Sequence, residues 1–129
     1  MLKKKDARFE AYVLLFALET LFLLWFSILP SLEMMGPPVL RMGDIEHFIA
    51  YVLYALIATR IARYYTRGWK VFVIPFVACG LFGGLCEFIQ VFVPQRTGDY
   101  IDFFVDVAGS GVGSAVGFKF KTFFSNRLK

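Results

Sequence analysis

Four long apolar runs alternate with short polar segments along the chain. They cover about residues 9–29, 44–65, 70–93 and 98–120. A transmembrane helix needs roughly 20 mainly apolar residues, and each run supplies them. Pro30, Gly68 and Pro94 mark the breaks after the first three runs. The pattern predicts an all-α, polytopic membrane protein, in which a bundle of four transmembrane helices forms a single domain over residues 1–129.

The composition supports membrane insertion and argues against a soluble helical bundle. Hydrophobic residues make up 58% of the 129 residues, 16 residues are Phe, and the mean hydropathy is +0.63. A soluble domain of this length has too little interior to hide so much apolar surface. The run over residues 11–29 is longer than the roughly 7–15 residues of a signal-peptide core, and no A-x-A-like cleavage site follows it. We therefore expect an uncleaved first span.

Lysine and arginine predict the orientation. With four spans, only Arg41 and Arg96 of the 14 basic residues fall on one side of the membrane. The others are Lys3, Lys4, Lys5, Arg8, Arg60, Arg63, Arg67, Lys70, Lys119, Lys121, Arg127 and Lys129. Because cytoplasmic segments carry excess positive charge, both termini are predicted to lie in the cytoplasm. The predicted location is the cytoplasmic (inner) membrane. The net charge of +4 is informative because of where the basic residues lie. In a membrane protein it does not indicate nucleic-acid binding, and we expect no nucleic-acid partner.

Polar residues recur at helical spacing inside the last three spans. Ionisable groups inside a span cost roughly 2.5–3.5 kcal/mol each when they face lipid, so they must face protein or water. Steps of three and four residues place them on one stripe per helix, in the outer half of the bundle. We expect one outward-facing pocket, sealed below by small residues and tyrosine. Its predicted residues are His47, Tyr51, Glu87, Gln90, Arg96, Asp102 and Asp106.

Such a pocket has several chemical uses, and residue types alone do not choose among them. Carboxylates clustered with His47 can hold a proton or bind a metal. They can also hydrogen-bond a headgroup or sugar while Arg96 takes a phosphate or carboxylate. Alternatively, they form an internal network that fixes helix order, with Arg96 neutralising a carboxylate. No two candidate ligands form an HExxH-like local pair, so the sequence predicts neither a metal nor a cofactor.

Small residues in the fourth span are predicted to pack rather than react. Gly109 and Gly113 have the G-x-x-x-G spacing of a helix-packing surface. Ser110 and Ser114 lie on this surface without an adjacent base, so they do not indicate a nucleophile. Whether the protein catalyses a reaction stays open. Since four short spans make a thin bundle, a second copy of the chain is a candidate partner.

Three further residues inside the spans are not assigned to the pocket. Cys79 and Cys86 lie seven residues apart on one predicted helix, about 10 Å along its axis, which is too far for a disulfide. They are expected to pack as small apolar residues. Glu19 lies near the middle of the first span, at mid-membrane depth, and its role stays open.

Five short motifs follow one another across spans two to four. They are His47-x-x-x-Tyr51, Glu87-x-x-Gln90, Pro94-x-Arg96, Asp102 and Asp106-x-x-Gly109-x-x-x-Gly113. This set, from about Asp44 to Gly117, resembles the VanZ-like family of membrane proteins, whose four-span size agrees. The family's namesake is associated with low-level resistance to the glycopeptide antibiotic teicoplanin. The resemblance implies a cell-envelope role at the outer face of the membrane.

The sequence departs from the family pattern at two places. Asp106 stands where the family usually has Asn, and Asp44 and Glu46 stand near the position of a frequent Lys. The neighbourhood is therefore more acidic than is typical of the family, which weakens the case for anion binding and slightly strengthens that for a cation or proton role.

The sequence as a whole favours a membrane protein whose outward pocket binds a lipid headgroup or another cell-envelope precursor. Three alternatives stay open: a proton- or cation-coupled transporter component, a membrane-embedded envelope-lipid enzyme with a carboxylate base, and a structural helix bundle.

Overall fold

The computed structural model describes residues 5–29, 42–96 and 98–127. This part of the chain forms four α-helices, each antiparallel to the one before it. The helices are α1 (Ala7–Ile28), α2 (Met42–Ala62), α3 (Lys70–Gln90) and α4 (Tyr100–Arg127). All four are long and apolar enough to cross a membrane. The predicted all-helical pattern with four candidate spans is confirmed.

The antiparallel order creates two chemically different ends. The last turns of α1 and α3 and the first turns of α2 and α4 form the acidic end, which holds Asp44, Glu46, Glu87, Asp99, Asp102 and Asp106. The opposite, basic end holds Lys5, Arg8, Arg60, Arg63, Arg67, Lys70 and Lys119. Four of the basic residues used to predict the orientation lie outside the described residues: Lys3, Lys4, Arg41 and Lys129.

The helix boundaries differ from the predicted ones by a few residues at most ends. Helix α1 begins at Ala7 because Asp6 caps it, with its Oδ1 accepting from the Phe9 N–H at 3.1 Å. Helix α2 begins at Met42, two residues before the predicted start of the second span. Asp44 lies in the first turn, where its negative charge favours the helix dipole.

Helices α3 and α4 end at different residues from those the apolar runs predicted. Helix α3 ends at Gln90, because the chain tightens there into i→i+3 bonds before Pro94. The Phe92 N–H donates to Ile89 at 3.1 Å and the Val93 N–H to Gln90 at 3.1 Å. Helix α4 continues to Arg127, seven residues past the predicted end of the fourth span, since no proline follows Gly117.

Glycines of α4 bring this helix into backbone contact with α2. A Cβ at Gly109 would lie 2.7 Å from the Phe48 carbonyl oxygen, and one at Gly113 would overlap the Val52 carbonyl oxygen. Small residues allow such close approach between membrane helices. The predicted packing role of the G-x-x-x-G surface is confirmed, and α2 of the same chain occupies that surface.

Tyrosines of α2 fill the centre of the bundle. Tyr51 and Tyr54 are almost fully buried and form a cluster with Cys79 of α3 and Leu23 of α1. The Phe16 ring stacks on Tyr54, with ring centroids 4.5 Å apart and planes inclined by 3°. Cys79 is a free, buried residue in this core, as its packing role predicted.

Helix α1 lies at the periphery of the bundle. Leu23 and Ser27 are its only buried residues, and it packs against α2 and α3. The Thr20 hydroxyl lies 2.9 Å from the Tyr54 hydroxyl near its middle, and Tyr64 donates to Asp6 at 2.9 Å at the basic end. The outer face of α1 consists of exposed large side chains, including Leu14, Leu18, Leu21 and Trp25. Such a face suits contact with lipid.

Candidate functional site

His47 of α2 and Asp106 of α4 meet inside the acidic end. The His47 Nδ1 atom lies 3.0 Å from Asp106 Oδ1. The Asp106 side chain is fully buried, whereas 28% of the His47 side chain is exposed. Gly83 of α3 makes room for the aspartate, since a Cβ there would lie 2.9 Å from the Asp106 Cβ. Three helices therefore determine where the carboxylate sits.

Glu87 joins this pair from the last turns of α3. The side-chain donor atoms of His47, Glu87 and Asp106 can be chosen so that all lie within 4.8 Å of one another; we call these three residues the triad. Glu87 Oε2 accepts from the Asp99 N–H at 3.3 Å, which ties α3 to the start of α4. The second oxygens, Glu87 Oε1 and Asp106 Oδ2, are buried and have no hydrogen-bond partner among the described residues. The triad thus combines one imidazole with two incompletely satisfied carboxyl groups.

Asp102 lies beside the triad, one helical turn before Asp106. Its half-buried carboxyl group is within hydrogen-bond range of Asp44, in the first turn of α2. This edge of the site is therefore rich in acceptor oxygens.

A cavity of about 490 Å³ lies next to the triad, between α1, α2 and α3. Its α1 wall is apolar and consists of Phe22, Leu23 and Phe26, followed by Ser27. Its other walls are mainly polar or small: Gly43, Glu46, His47, Ala50, Tyr51, Cys86, Gln90 and Arg96. The volume is in the range of small-molecule sites, about 300–1,000 Å³. One wall thus suits a hydrocarbon and the others suit a polar group.

Arg96 anchors the mouth of the cavity to α1. Its Nη1 atom donates to the carbonyl oxygens of Phe26 at 2.8 Å and Ser27 at 3.3 Å. One alternative from the sequence was that Arg96 neutralises a carboxylate. Its described hydrogen bonds go to these two backbone carbonyls instead.

The predicted site residues occupy two adjacent places rather than one. His47, Glu87 and Asp106 form the triad, with Asp102 at its edge. Tyr51, Gln90 and Arg96 line the cavity, and His47 belongs to both. Tyr51 is 1% exposed and lies against Gly83, which also contacts the Asp106 side chain.

Sequence reasoning missed the contribution of α1 to the cavity. Ser27 and Cys86 line it, yet neither was a candidate, and no residue of the first span was assigned to the pocket. The available signal was Ser27, a small polar residue one turn beyond Leu23 at the end of an apolar span. Glu19 lies apart from the triad, near Tyr54 and Cys79, and is half-buried.

Comparison of the chain with models of protein families found no match, and comparisons with curated proteins and with solved structures found none either.

Proposed function

We propose that this protein is a multi-pass protein of the cytoplasmic membrane that binds the polar headgroup of an envelope lipid or lipid-linked precursor. The observation that carries the proposal is the mixed lining of the cavity. Phe22, Leu23 and Phe26 offer an apolar wall opposite Gln90 and Arg96. An amphiphile matches this arrangement, with its chain against α1 and its headgroup against α3 and Arg96.

The proposed orientation places the acidic end outside and the basic end in the cytoplasm. The exposed basic residues Arg67 and Lys70 between α2 and α3, with Lys5 and Arg8 at the start of the chain, support this orientation. The cavity then opens at the depth of the outer headgroups, where envelope precursors are displayed.

Membership of the VanZ-like family is part of the proposal, supported by the motif set and by the meeting of its residues at one end. Association of the family's namesake with teicoplanin resistance suggests how binding would act in a cell. A protein that sequesters or shields a precursor headgroup would lower its availability to a glycopeptide. Resistance is then a consequence of headgroup binding rather than a separate activity.

Lipid capture by the purified chain tests the binding proposal. Full-length protein in nanodiscs is titrated with a fluorescent polyprenyl-diphosphate sugar, for the wild type and for Gln90→Ala. Losing one hydrogen bond to a charged group, roughly 1.5–3 kcal/mol, should weaken binding about 10- to 100-fold. The matched control is Phe88→Ala on the same helix, because Phe88 is 62% exposed and does not line the cavity.

The result that would overturn the binding proposal is equal affinity of Gln90→Ala and Phe88→Ala, or no saturable binding by the wild type. A separate cellular arm compares teicoplanin susceptibility at matched membrane abundance. If Gln90→Ala loses lipid binding but susceptibility does not change, the resistance part fails and the binding part stands.

Proton movement is a second candidate function, favoured by the α4 surface beneath the triad. Ser110 and Ser114 follow Asp106 at four-residue steps, and both hydroxyl oxygens are buried without a hydrogen-bond partner among the described residues. Successive steps are about 6 Å apart along the helix, so water would have to link them. The test is to measure proton flux into vesicles that contain the pure protein. If no flux occurs under a pH gradient, this second candidate function is excluded.

A further inference from the structure

We propose that His47, Glu87 and Asp106 form a binding site for a divalent transition-metal cation of the Zn²⁺ or Mn²⁺ class. The proposal goes beyond the lipid proposal, since it concerns the triad, which shares only His47 with the lining of the neighbouring cavity. The sequence did not favour a metal because its candidate ligands are far apart in the chain. Folding brings them together from three helices, with one donor atom of each within 4.8 Å of the others.

Unsatisfied oxygens distinguish the triad from an ordinary acidic cluster. Glu87 is 7% exposed and Asp106 is 0% exposed. Each nevertheless keeps one buried oxygen, Glu87 Oε1 and Asp106 Oδ2, without a hydrogen-bond partner among the described residues. Buried polar atoms are nearly always paired, with protein, water or an ion. A cation among these side chains would supply the missing partner for both carboxylates.

The donor set and its spacing fit a first-row divalent metal. Imidazole nitrogen suits zinc and related metals, and carboxylate oxygen suits zinc and manganese. Ligand bonds of about 2.0–2.1 Å in a tetrahedral site place two ligand atoms about 3.4 Å apart. The His47 Nδ1 to Asp106 Oδ1 distance of 3.0 Å is close to this value. Glu87 supplies the third ligand, since one of its carboxylate oxygens lies within 4.8 Å of the ligand atoms of the other two residues.

Charge balance at the acidic end also favours a cation. Two ionised carboxylates and a neutral imidazole carry a charge of −2, which a divalent ion neutralises. Arg96, the one arginine described at this end, directs Nη1 to backbone carbonyls of α1 rather than to the triad. Asp102 and Asp44 add further acceptors at the edge of the site. Three protein ligands leave a coordination position open, as in sites where zinc binds a further molecule.

Metal analysis of the purified full-length chain tests this inference. Protein in detergent is stripped with a chelator, incubated with Zn²⁺ or Mn²⁺, desalted, and analysed by mass spectrometry for metal content. We expect about one ion per chain for the wild type. Affinity should fall by at least about 10-fold in the isosteric variants Glu87→Gln and Asp106→Asn, since even outer-shell changes cost 10- to 100-fold. The control is Glu10→Gln, which removes an exposed carboxylate at the basic end.

A spectroscopic measurement keeps the test decisive if a variant fails to fold. Pulsed EPR of Mn²⁺ bound to the wild type should detect nitrogen coupling from one imidazole, and His47 is the only histidine in the chain. Metal content below about 0.1 per chain, equal affinity in Glu87→Gln and Glu10→Gln, or Mn²⁺ without nitrogen coupling would each overturn the proposal. A proton shared by His47 and Asp106 would then be the remaining occupant of the triad.

Discussion

Asp106, Ser110 and Ser114 lie on one face of α4, and each is fully buried against its neighbours. These three buried residues differ in their hydrogen bonding. Asp106 has His47 as a partner at 3.0 Å, whereas both serine hydroxyls have no partner among the described residues. A buried hydroxyl without a hydrogen bond destabilises the folded state. Such residues persist either because a small side chain is needed there or because water reaches them.

Serine substitutions distinguish these two explanations. Ser114→Ala should be neutral or should raise the free energy of unfolding by about 1 kcal/mol, because it removes an unpaired buried hydroxyl. The matched control is Ser27→Ala, since the buried Ser27 hydroxyl donates to the Leu23 carbonyl at 2.8 Å. That change should lower the free energy of unfolding by about 0.5–1.5 kcal/mol. Denaturant titration in detergent micelles measures both.

A clear loss of stability in Ser114→Ala would contradict this expectation. It would mean that the hydroxyl has a partner, such as water, and would strengthen the second candidate function over the binding function.

Helices α2 and α4 pack against each other at very short range. The glycines of α4 make this contact possible. Helix α4 approaches the α2 backbone at Phe48 and Val52, which no residue with a side chain would permit. The triad depends on this approach, because His47 lies on α2 and Asp106 on α4, 59 residues apart in the chain.

Gly113→Ala should therefore damage both packing and site. The added methyl group would overlap the Val52 carbonyl oxygen, and overpacking of this kind costs about 1–3 kcal/mol. Gly111→Ala on the same helix is the control, since a Cβ there would lie 3.4 Å from the Phe76 ring, an ordinary contact. It should be neutral or stabilising by up to about 1 kcal/mol. Melting temperatures of the two purified variants measure the difference, and equal values would refute the close packing.

The helices and their buried faces were predictable from sequence, whereas the contacts between faces were not. Apolar length alone located all four helices, and Glu87 and Gln90, predicted to face the interior from the third span, are both buried on α3. Helical spacing places residues on a face but leaves the rotation and depth of each helix open. That is why the triad and the cavity could not be separated in advance.

The conformation of the connection between α3 and α4 explains why Arg96 does not pair with a carboxylate. Arg96 reaches the α1 carbonyls because the connection between α3 and α4 bends at Gln95, whose φ of 67° lies in the left-handed region. Few residues other than glycine, asparagine or aspartate adopt this conformation readily, so nothing in the sequence predicted the bend at a glutamine. The backbone conformation, rather than the pattern of charges, therefore determines where the Arg96 side chain lies.

At the scale of the whole molecule, charge is separated between two ends while the middle is apolar. The acidic end holds the triad and the cavity, and the basic end holds most of the described lysines and arginines. In the proposed orientation a cation or a headgroup outside the cell meets the acidic end first.

Cysteine labelling in intact cells tests the proposed orientation. Tyr100→Cys at the acidic end should react with a membrane-impermeant maleimide, because Tyr100 is 74% exposed. Trp69→Cys at the basic end, where Trp69 is 67% exposed, should react only after permeabilisation. The native protein is the blank, since Cys79 and Cys86 are buried. The reverse labelling pattern would place the acidic end in the cytoplasm.

The dependence of the triad on α4 has a consequence for biosynthesis. A ribosome makes α2 and α3 before α4, so His47 and Glu87 are inserted while Asp106 is still untranslated. During that interval the α2 backbone at Phe48 and Val52, against which the glycines of α4 pack, has no partner helix. Nascent chains stalled before Gly113 would therefore be the species most readily recognised by membrane proteases.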